Sequence, residues 1–368
     1  MKPTALKKLV YTIIRVMAII LLVLAMVIAT MTYSVAPSLG PEAQEFFYKI
    51  YLYFENYFRA ITVVIGCALT WWLLSRTRRA ASPQYKRTLI AFSVVVMIVL
   101  VLFPLITGYY DLYSALMPFP WSTLPFQLAD NGNFFNHPFE SFHGIDGGFF
   151  ILLVYVLYQA MVYGGTLFLG RRWQCSMLCL LNGCHAESMG IALPLVAHHP
   201  KRKESKQVRP ALVKALRIFQ LVLFGVNLLL VAAWVVLLVA RPQGISRDTL
   251  IQIERIKYLS VELTLMMGLW LVISARGYCY YCPAGFALGI VGNFVGQRIE
   301  TNLTHCTQCG ACNDACKLSI DIQGFALRKE PVRALQCVGC TLCVSACPTK
   351  NLKYTTHFLS WQESRKTK

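Results

Sequence analysis

Eight of the fourteen cysteines lie between residues 306 and 347 and repeat one spacing, C-x2-C-x2-C-x3-C. The first copy, CTQCGACNDACK, supplies Cys306, Cys309, Cys312 and Cys316; the second, CVGCTLCVSACP, supplies Cys337, Cys340, Cys343 and Cys347. A C-x2-C-x2-C loop lets three thiolates grip one face of a small cube of iron and sulfide. The fourth cysteine of each copy, carried into the following segment, reaches the other cube. The spacing therefore predicts two [4Fe-4S] clusters with crossed ligation. Cys306, Cys309, Cys312 and Cys347 would hold one, and Cys337, Cys340, Cys343 and Cys316 the other. Small residues at Gly310, Ala311, Gly339 and Ala346 let backbone N–H groups approach the sulfurs. Two other uses of eight thiols fit less well: disulfides need an oxidising compartment, and zinc sites pair two C-x2-C knuckles without the further cysteines at these offsets.

A second set is less regular. The stretch RRWQCSMLCLLNGCHAE at 171–187 carries Cys175, Cys179 and Cys184, and RGYCYYCPAG at 276–285 carries Cys279 and Cys282. Both stretches have a base, an aromatic, a cysteine pair and a closing glycine, which makes them an internal repeat. If the two pairs meet, four thiolates can hold a third iron-sulfur cluster or another metal. They can equally serve thiol-disulfide chemistry, which nearby positive charge favours, or be structural. Cys184 is a spare ligand for the first of these uses. Cys67 reads as a small buried residue.

These motifs need elements to carry them. The chain is 56% hydrophobic and 14% charged, with apolar runs of about 20 residues, the length that crosses a bilayer core of roughly 30 Å. Six helical spans are expected, at about 9–33, 57–75, 88–107, 149–170, 213–240 and 258–275. The runs are continuously apolar, unlike the alternating strands of a membrane barrel. Three helices and an aromatic outer loop occupy 1–148, a membrane core with both cysteine pairs 149–298, the eight-cysteine region 299–352, and a basic tail 353–368.

Basic residues mark one side of the membrane. Five bases and no acid fall between 76 and 87, and eight bases against two acids between 171 and 214. Residues 34–56 instead carry three acids and one lysine, and 108–148 carry four acids and no base. This asymmetry puts both termini, and with them both cysteine sets, on the cytoplasmic face of an inner membrane. Residues 241–257, with four bases against two acids, run against the trend. Orientation and attraction to anionic lipid explain the net charge of +18 without nucleic acid as a partner. Arg171, Arg172 and Arg276 would stabilise either thiolates or a net negative cluster, and placement on the basic side of the membrane explains them equally well. All seven histidines lie outside the expected spans, so a bis-histidine haem ladder has no ligands. Glu262 is the one acid inside a span, near its outer end, and reads as an interfacial group, with a proton or quinone role as the sharper alternative. The aromatic residues of 109–128 are expected at head-group level, with a quinone pocket as the sharper alternative.

The cysteine-ended spans followed by the double eight-cysteine motif with ACKLSIDIQ after its first copy resemble the NapH family of polyferredoxin membrane proteins. The same core is similar to MauN, to the membrane part of NosR and to CcoG. The resemblance covers roughly 149–350. Family members carry C-x3-C-P after two spans; here Leu180 replaces the first proline, and the second copy has one spacer residue fewer before Pro283. Pro348 follows the bacterial ferredoxin pattern, and Lys317 stands where the first copy often has proline. The implied architecture is an all-α integral membrane protein with a small α+β, bacterial-type 2[4Fe-4S] ferredoxin domain at its C-terminal end. The implied role is one-electron transfer between a membrane redox pool, quinone or quinol, and a partner redox protein, as a component of a larger oxidoreductase system. The alternative is a cofactor-assembly or redox-sensing factor that reduces a partner's metal or thiols.

Overall fold

The computed structural model describes residues 16, 19–20, 23–54, 57, 59–76, 83–107, 115–123, 125–126, 147–180, 208–240, 247–273, 276–301 and 306–366. Helices dominate it. They are α1 (Pro41–Tyr53), α2 (Arg59–Arg76), α3 (Pro83–Met97), α4 (Gly147–Leu169), α5 (Pro210–Ala240), α6 (Arg247–Lys257) and α7 (Pro283–Phe294). Beyond these come the short α8 (Ala311–Ala315), α9 (Ile322–Leu327) and α10 (Leu342–Ala346), and a final helix α11 (His357–Lys366). Helix α3 widens to π geometry at Ile98–Leu102 before resuming at Phe103–Thr107. Pro104 lacks the N–H that would reach back one turn, which accounts for the slack. Helix α6 likewise continues through a π segment, Tyr258–Leu265, into Met266–Val272.

Among the described residues three helices are long and apolar enough to cross a membrane: Pro83–Ile106, Ile151–Leu169 and Pro210–Ala240. They match the spans expected at 88–107, 149–170 and 213–240. The expected span at 57–75 falls on α2, whose apolar stretch Val63–Trp72 is shorter. The span at 258–275 falls on the continuation of α6, and much of 9–33 lies outside the described residues. Helix α5 shows how such a helix is built. Val213, Leu216, Gln220, Leu223, Asn227, Leu230, Trp234 and Leu237 recur at alternating three- and four-residue steps and are buried. Leu221, Val222, Leu229 and Val239 face outward and are exposed. A stripe of polar-punctuated packing with an apolar outer face is what a helix needs when hydrocarbon replaces water.

The eight-cysteine region forms a small unit around a two-stranded sheet. Strand β1 (Arg298–Thr301) pairs antiparallel with β2 (Leu352–Thr355), with Ile299 opposite Tyr354. Ile299, Leu318, Ile320, Ile322, Val332, Val338, Leu352 and Tyr354 are buried together beneath it. The segment read as a basic tail therefore carries the end of β2 and helix α11.

This unit is seated on the end of α4. The Tyr354 hydroxyl donates to the Leu169 carbonyl at 2.7 Å, and the Thr356 hydroxyl to that of Phe168 at 2.7 Å. Gln297 accepts from the Arg171 N–H at 2.7 Å and donates to the Cys337 carbonyl at 2.6 Å. Phe358 of α11 meets Phe168 edge-on at 5.1 Å. Each bond satisfies a backbone group that the end of a helix or loop leaves open.

Candidate redox centre

Both C-x2-C-x2-C loops adopt the same backbone. Gln308 and Gly310 in the first, and Gly339 and Thr341 in the second, have φ of 55°, 71°, 64° and 61°. Alternating left-handed residues turn successive N–H groups into one concavity, a form suited to anionic ligands and iron-sulfur sites. Each loop then enters its short helix, α8 or α10, which carries the fourth cysteine away.

The structure gathers the eight cysteines into two groups. Cys306, Cys309, Cys312 and Cys347 line one cavity of about 460 Å³. Cys316, Cys337, Cys340 and Cys343 line a second of about 450 Å³. Both volumes include the open mouths. Each cavity takes three cysteines from one repeat and the fourth from the other. The first is the outer one: Cys306 and Cys309 are exposed. The second has Arg276 and Lys317 in its lining and faces the helices.

The donors and their surroundings fit an iron-sulfur cluster. The Ile320 N–H donates to Cys316 Sγ at 3.4 Å. Burial pushes the Cys316 thiol up to about 12, against N–H bonds from Ile320 and Leu318 that pull it down. Burial likewise raises Cys337 to about 11, opposed by the Gly339 N–H, and raises Cys343 well above the usual thiol range. Thiols so desolvated become ligands by giving their protons up to a bound cation. Among the described residues no three His, Cys, Asp or Glu side chains converge on a single metal position. A cube takes each thiolate on its own iron, which calls for four cysteines around one cavity.

The second cysteine set is also brought together. Arg171 Nε donates to Cys175 Sγ at 3.2 Å, and Arg276 Nη1 to the Cys175 carbonyl at 3.0 Å. Cys279 feels the charges of Cys179 and Cys175, and Cys282 those of Cys175 and Cys279. Burial pushes Cys279 up to about 12, with Arg276 and Arg171 drawing it down. The Gly285 N–H, at the start of α7, donates to Cys282 Sγ at 3.2 Å. Cys184, the spare ligand, lies outside the described residues, as does His185. Cys67 is buried in the packing around α2.

The three arginines are buried rather than lying at the surface. Arg171, Arg172 and Arg276 are 2%, 7% and 1% exposed. Arg171 also donates to the Leu335 carbonyl at 2.6 Å, and it runs along α7 so closely that a Cβ on Gly285 would strike its guanidinium. Arg172 reaches the Gln84 carbonyl at 2.6 Å and the Thr88 hydroxyl at 2.8 Å on α3, under the Tyr354 ring at 5.4 Å. A planar guanidinium with five donors can tie several elements at once, which charge counting along a sequence does not show. Ser176 and Tyr280, which sequence reasoning missed, complete the seam: Ser176 Oγ donates to the Val338 carbonyl at 2.6 Å, and the Tyr280 hydroxyl to that of Lys317 at 3.0 Å.

One further expectation changes: Trp121, read as a head-group ring, is 4% exposed and packs edge-on against Tyr278 at 4.9 Å. Glu262, open to an interfacial place or a proton or quinone role, pairs with the buried Lys257 at 3.4 Å. Of the seven histidines His357 lies within the described residues, on α11.

A 91-residue stretch, 24% of the chain, is 31% identical to a protein of Escherichia coli (strain K12) described as "Putative electron transport protein YccM". The matched stretch is 24% of that protein's length as well, so the two chains share about a quarter of each. No protein-family model and no solved structure matches the chain.

Proposed function

We propose that the chain is a membrane electron-transfer protein that holds two [4Fe-4S] clusters and relays single electrons between a quinone pool and a partner redox protein. One observation carries this reading: each of two like-sized cavities is lined by three cysteines of one repeat and the fourth of the other. The match to an electron transport protein agrees with it. When bound, such clusters exchange one electron each.

The chain's own residues supply position, hydrogen bonds and charge. Cys306 and Cys309, exposed at the outer cavity, form the docking side for a partner. Arg276 places positive charge between the inner cavity and Cys175, where an added electron is stabilised. Gln297, Ser176 and Tyr280 hold the inner cavity against the helix ends, which keeps the distance between them short. The order outer cavity, inner cavity, helix-end cysteines is a path from the aqueous surface to the membrane. The helix-end quartet, with Arg171 donating to Cys175 Sγ, is a third centre on that path. The unit faces the cytoplasm in the topology that the basic loops set.

The test is anaerobic purification of the full chain with iron and sulfide analysis and electron paramagnetic resonance. Quinol-dependent reduction of the signals supports the relay; fully loaded protein that no quinol reduces refutes the quinone assignment. An assembly or sensing role is the second reading, favoured by the cation beside the Cys175 thiol. It predicts metal capture by the quartet and loss of a partner's cofactor when this chain is absent.

A further inference from the structure

Where α6 passes α5, ionic groups are buried at a depth where a membrane chain rarely keeps them. Lys257 Nζ lies 2.7 Å from Glu254 and 3.4 Å from Glu262. It donates to Asn227 Oδ1 at 3.0 Å and to the Trp121 carbonyl at 3.1 Å. Asn227 sits on α5 roughly 20 Å from the Ala240 end and roughly 25 Å from the Pro210 end, at 1.5 Å per residue. Charged groups at such depth are costly and mark functional sites.

We propose that Glu254, Lys257, Glu262 and Asn227 form a one-proton binding site within the membrane region, at which Glu262 takes up the proton. Charge sets the number. One lysine against two carboxylates leaves the group at −1, and one proton brings it to zero.

Geometry picks the acceptor. Glu254 has the shorter ion pair, and its other oxygen accepts from both the N–H and the hydroxyl of Thr123. Its side chain is 6% exposed, so it is a fully bonded anion that nothing approaches. Glu262 has the longer pair with the same lysine, and its side chain is 17% exposed. It is the weaker-held anion and the less enclosed of the two. The proton adds to the Glu262 carboxylate to give a neutral carboxylic acid, and no other bond changes.

A second feature points into the same place. Asn227 is 1% exposed, and its Nδ2 has no hydrogen-bond partner among the described residues. An amide donor left unpaired on the residue that binds Lys257 is suited to an entering water that carries the proton. The titratable groups that face Glu262 are Lys257 and Glu254 on α6 and Tyr278 and Tyr281 from the loop before α7.

The site also has a physical link to the cysteine end. Gln220, two turns from Asn227 on the same buried seam of α5, donates to the Cys282 carbonyl at 2.6 Å. The rings of Trp121, Tyr278 and Tyr281 meet edge-on in sequence at 4.9 Å each. Tyr278 and Tyr281 interact electrostatically with both Glu262 and Cys282, and proton binding itself requires no cluster.

Infrared spectroscopy of the full-length protein in detergent, titrated with acid in H2O and D2O, tests the proposal. The difference between wild type and E262Q is expected to show one deuterium-sensitive carboxylic acid band that appears on acidification. In E254Q, Lys257 serves Glu262 alone, so the same band should emerge roughly one to three pH units lower, a tenfold or greater loss of proton affinity. An unchanged band in folded E262Q, or an unshifted titration in E254Q, overturns the assignment. If E262Q fails to fold, the E254Q shift decides alone. Because the band is read without reference to iron, its absence from the wild type refutes the proton site and leaves the electron-transfer reading to its own test.

Discussion

Replacing Gly339 by alanine tests how the eight-cysteine unit meets the membrane helices. Gly339 has φ +64° in the second cysteine loop, and Gln308, at the matching position of the first, has φ 55°. A side chain is therefore tolerated at this backbone conformation, at a cost of roughly 1–2 kcal/mol. What demands glycine at 339 is crowding. A Cβ there would lie 2.7 Å from Arg172 Cβ and 2.8 Å from the Tyr354 ring. The ring is held by its bond to Leu169 and the arginine by its bonds to α3, so neither yields easily. Overpacking of this kind costs roughly 1–3 kcal/mol more. Gly310 is the control: it shares the left-handed backbone at φ +71°, but the nearest atom to an added Cβ is Gln323 Oε1 at 3.5 Å. G310A should lose about 1–2 kcal/mol and G339A about 2–5 kcal/mol. Thermal unfolding of the purified protein ranks them. Equal destabilisation of the two variants, or a G339A protein as stable as wild type, would refute the account of the seam.

Other outcomes follow from the same contacts. Y280F removes the hydroxyl that bonds Lys317 and Ser319; it should cost about 1–2 kcal/mol, measured by thermal unfolding. C347S should degrade the cluster of the outer cavity while the inner one keeps its resonance signal, and C316S should do the reverse. Loss of both signals in each variant would contradict the crossed assignment. Asp321, held by Asn313 and the Gly324 N–H, has its carboxyl below the usual range. A depressed carboxyl stabilises above its unfolded value and loses that contribution as pH falls through its folded value. Acid below about pH 4 should therefore loosen the outer cavity in the wild type, and D321N should flatten that dependence in a stability-against-pH series. C175S and C279S should remove a fixed share of the iron if the quartet is a third centre, and none if it serves thiol chemistry.

The cysteine spacing alone indicated which side chains would share a cavity, because the motif encodes a local loop and one crossing partner. The long spans at 88–107, 149–170 and 213–240 were equally plain, since length and apolar composition are properties of a segment. The arginines were not. In sequence Arg171 and Arg276 fit membrane orientation and thiolate stabilisation equally, and only the packing of the glycine-lined face of α7 and the Cys175 loop shows them buried. The α5 seam held a usable sign: Gln220 and Asn227 fall on its buried positions, so each had to find a polar partner in the interior. Which partners they found, Cys282 and Lys257, depends on how α5, α6 and the 276–282 loop cross, and a linear pattern does not carry that.

The most direct measurement is the iron and acid-labile sulfide content of the full chain purified without oxygen. Two cavities each holding a [4Fe-4S] cluster predict about eight irons and eight sulfides per chain, or about twelve of each if the helix-end quartet holds a third. In either case C347S and C316S should each lower the count by about four. Protein that stays folded but binds iron without sulfide, or no iron at all, would contradict the account.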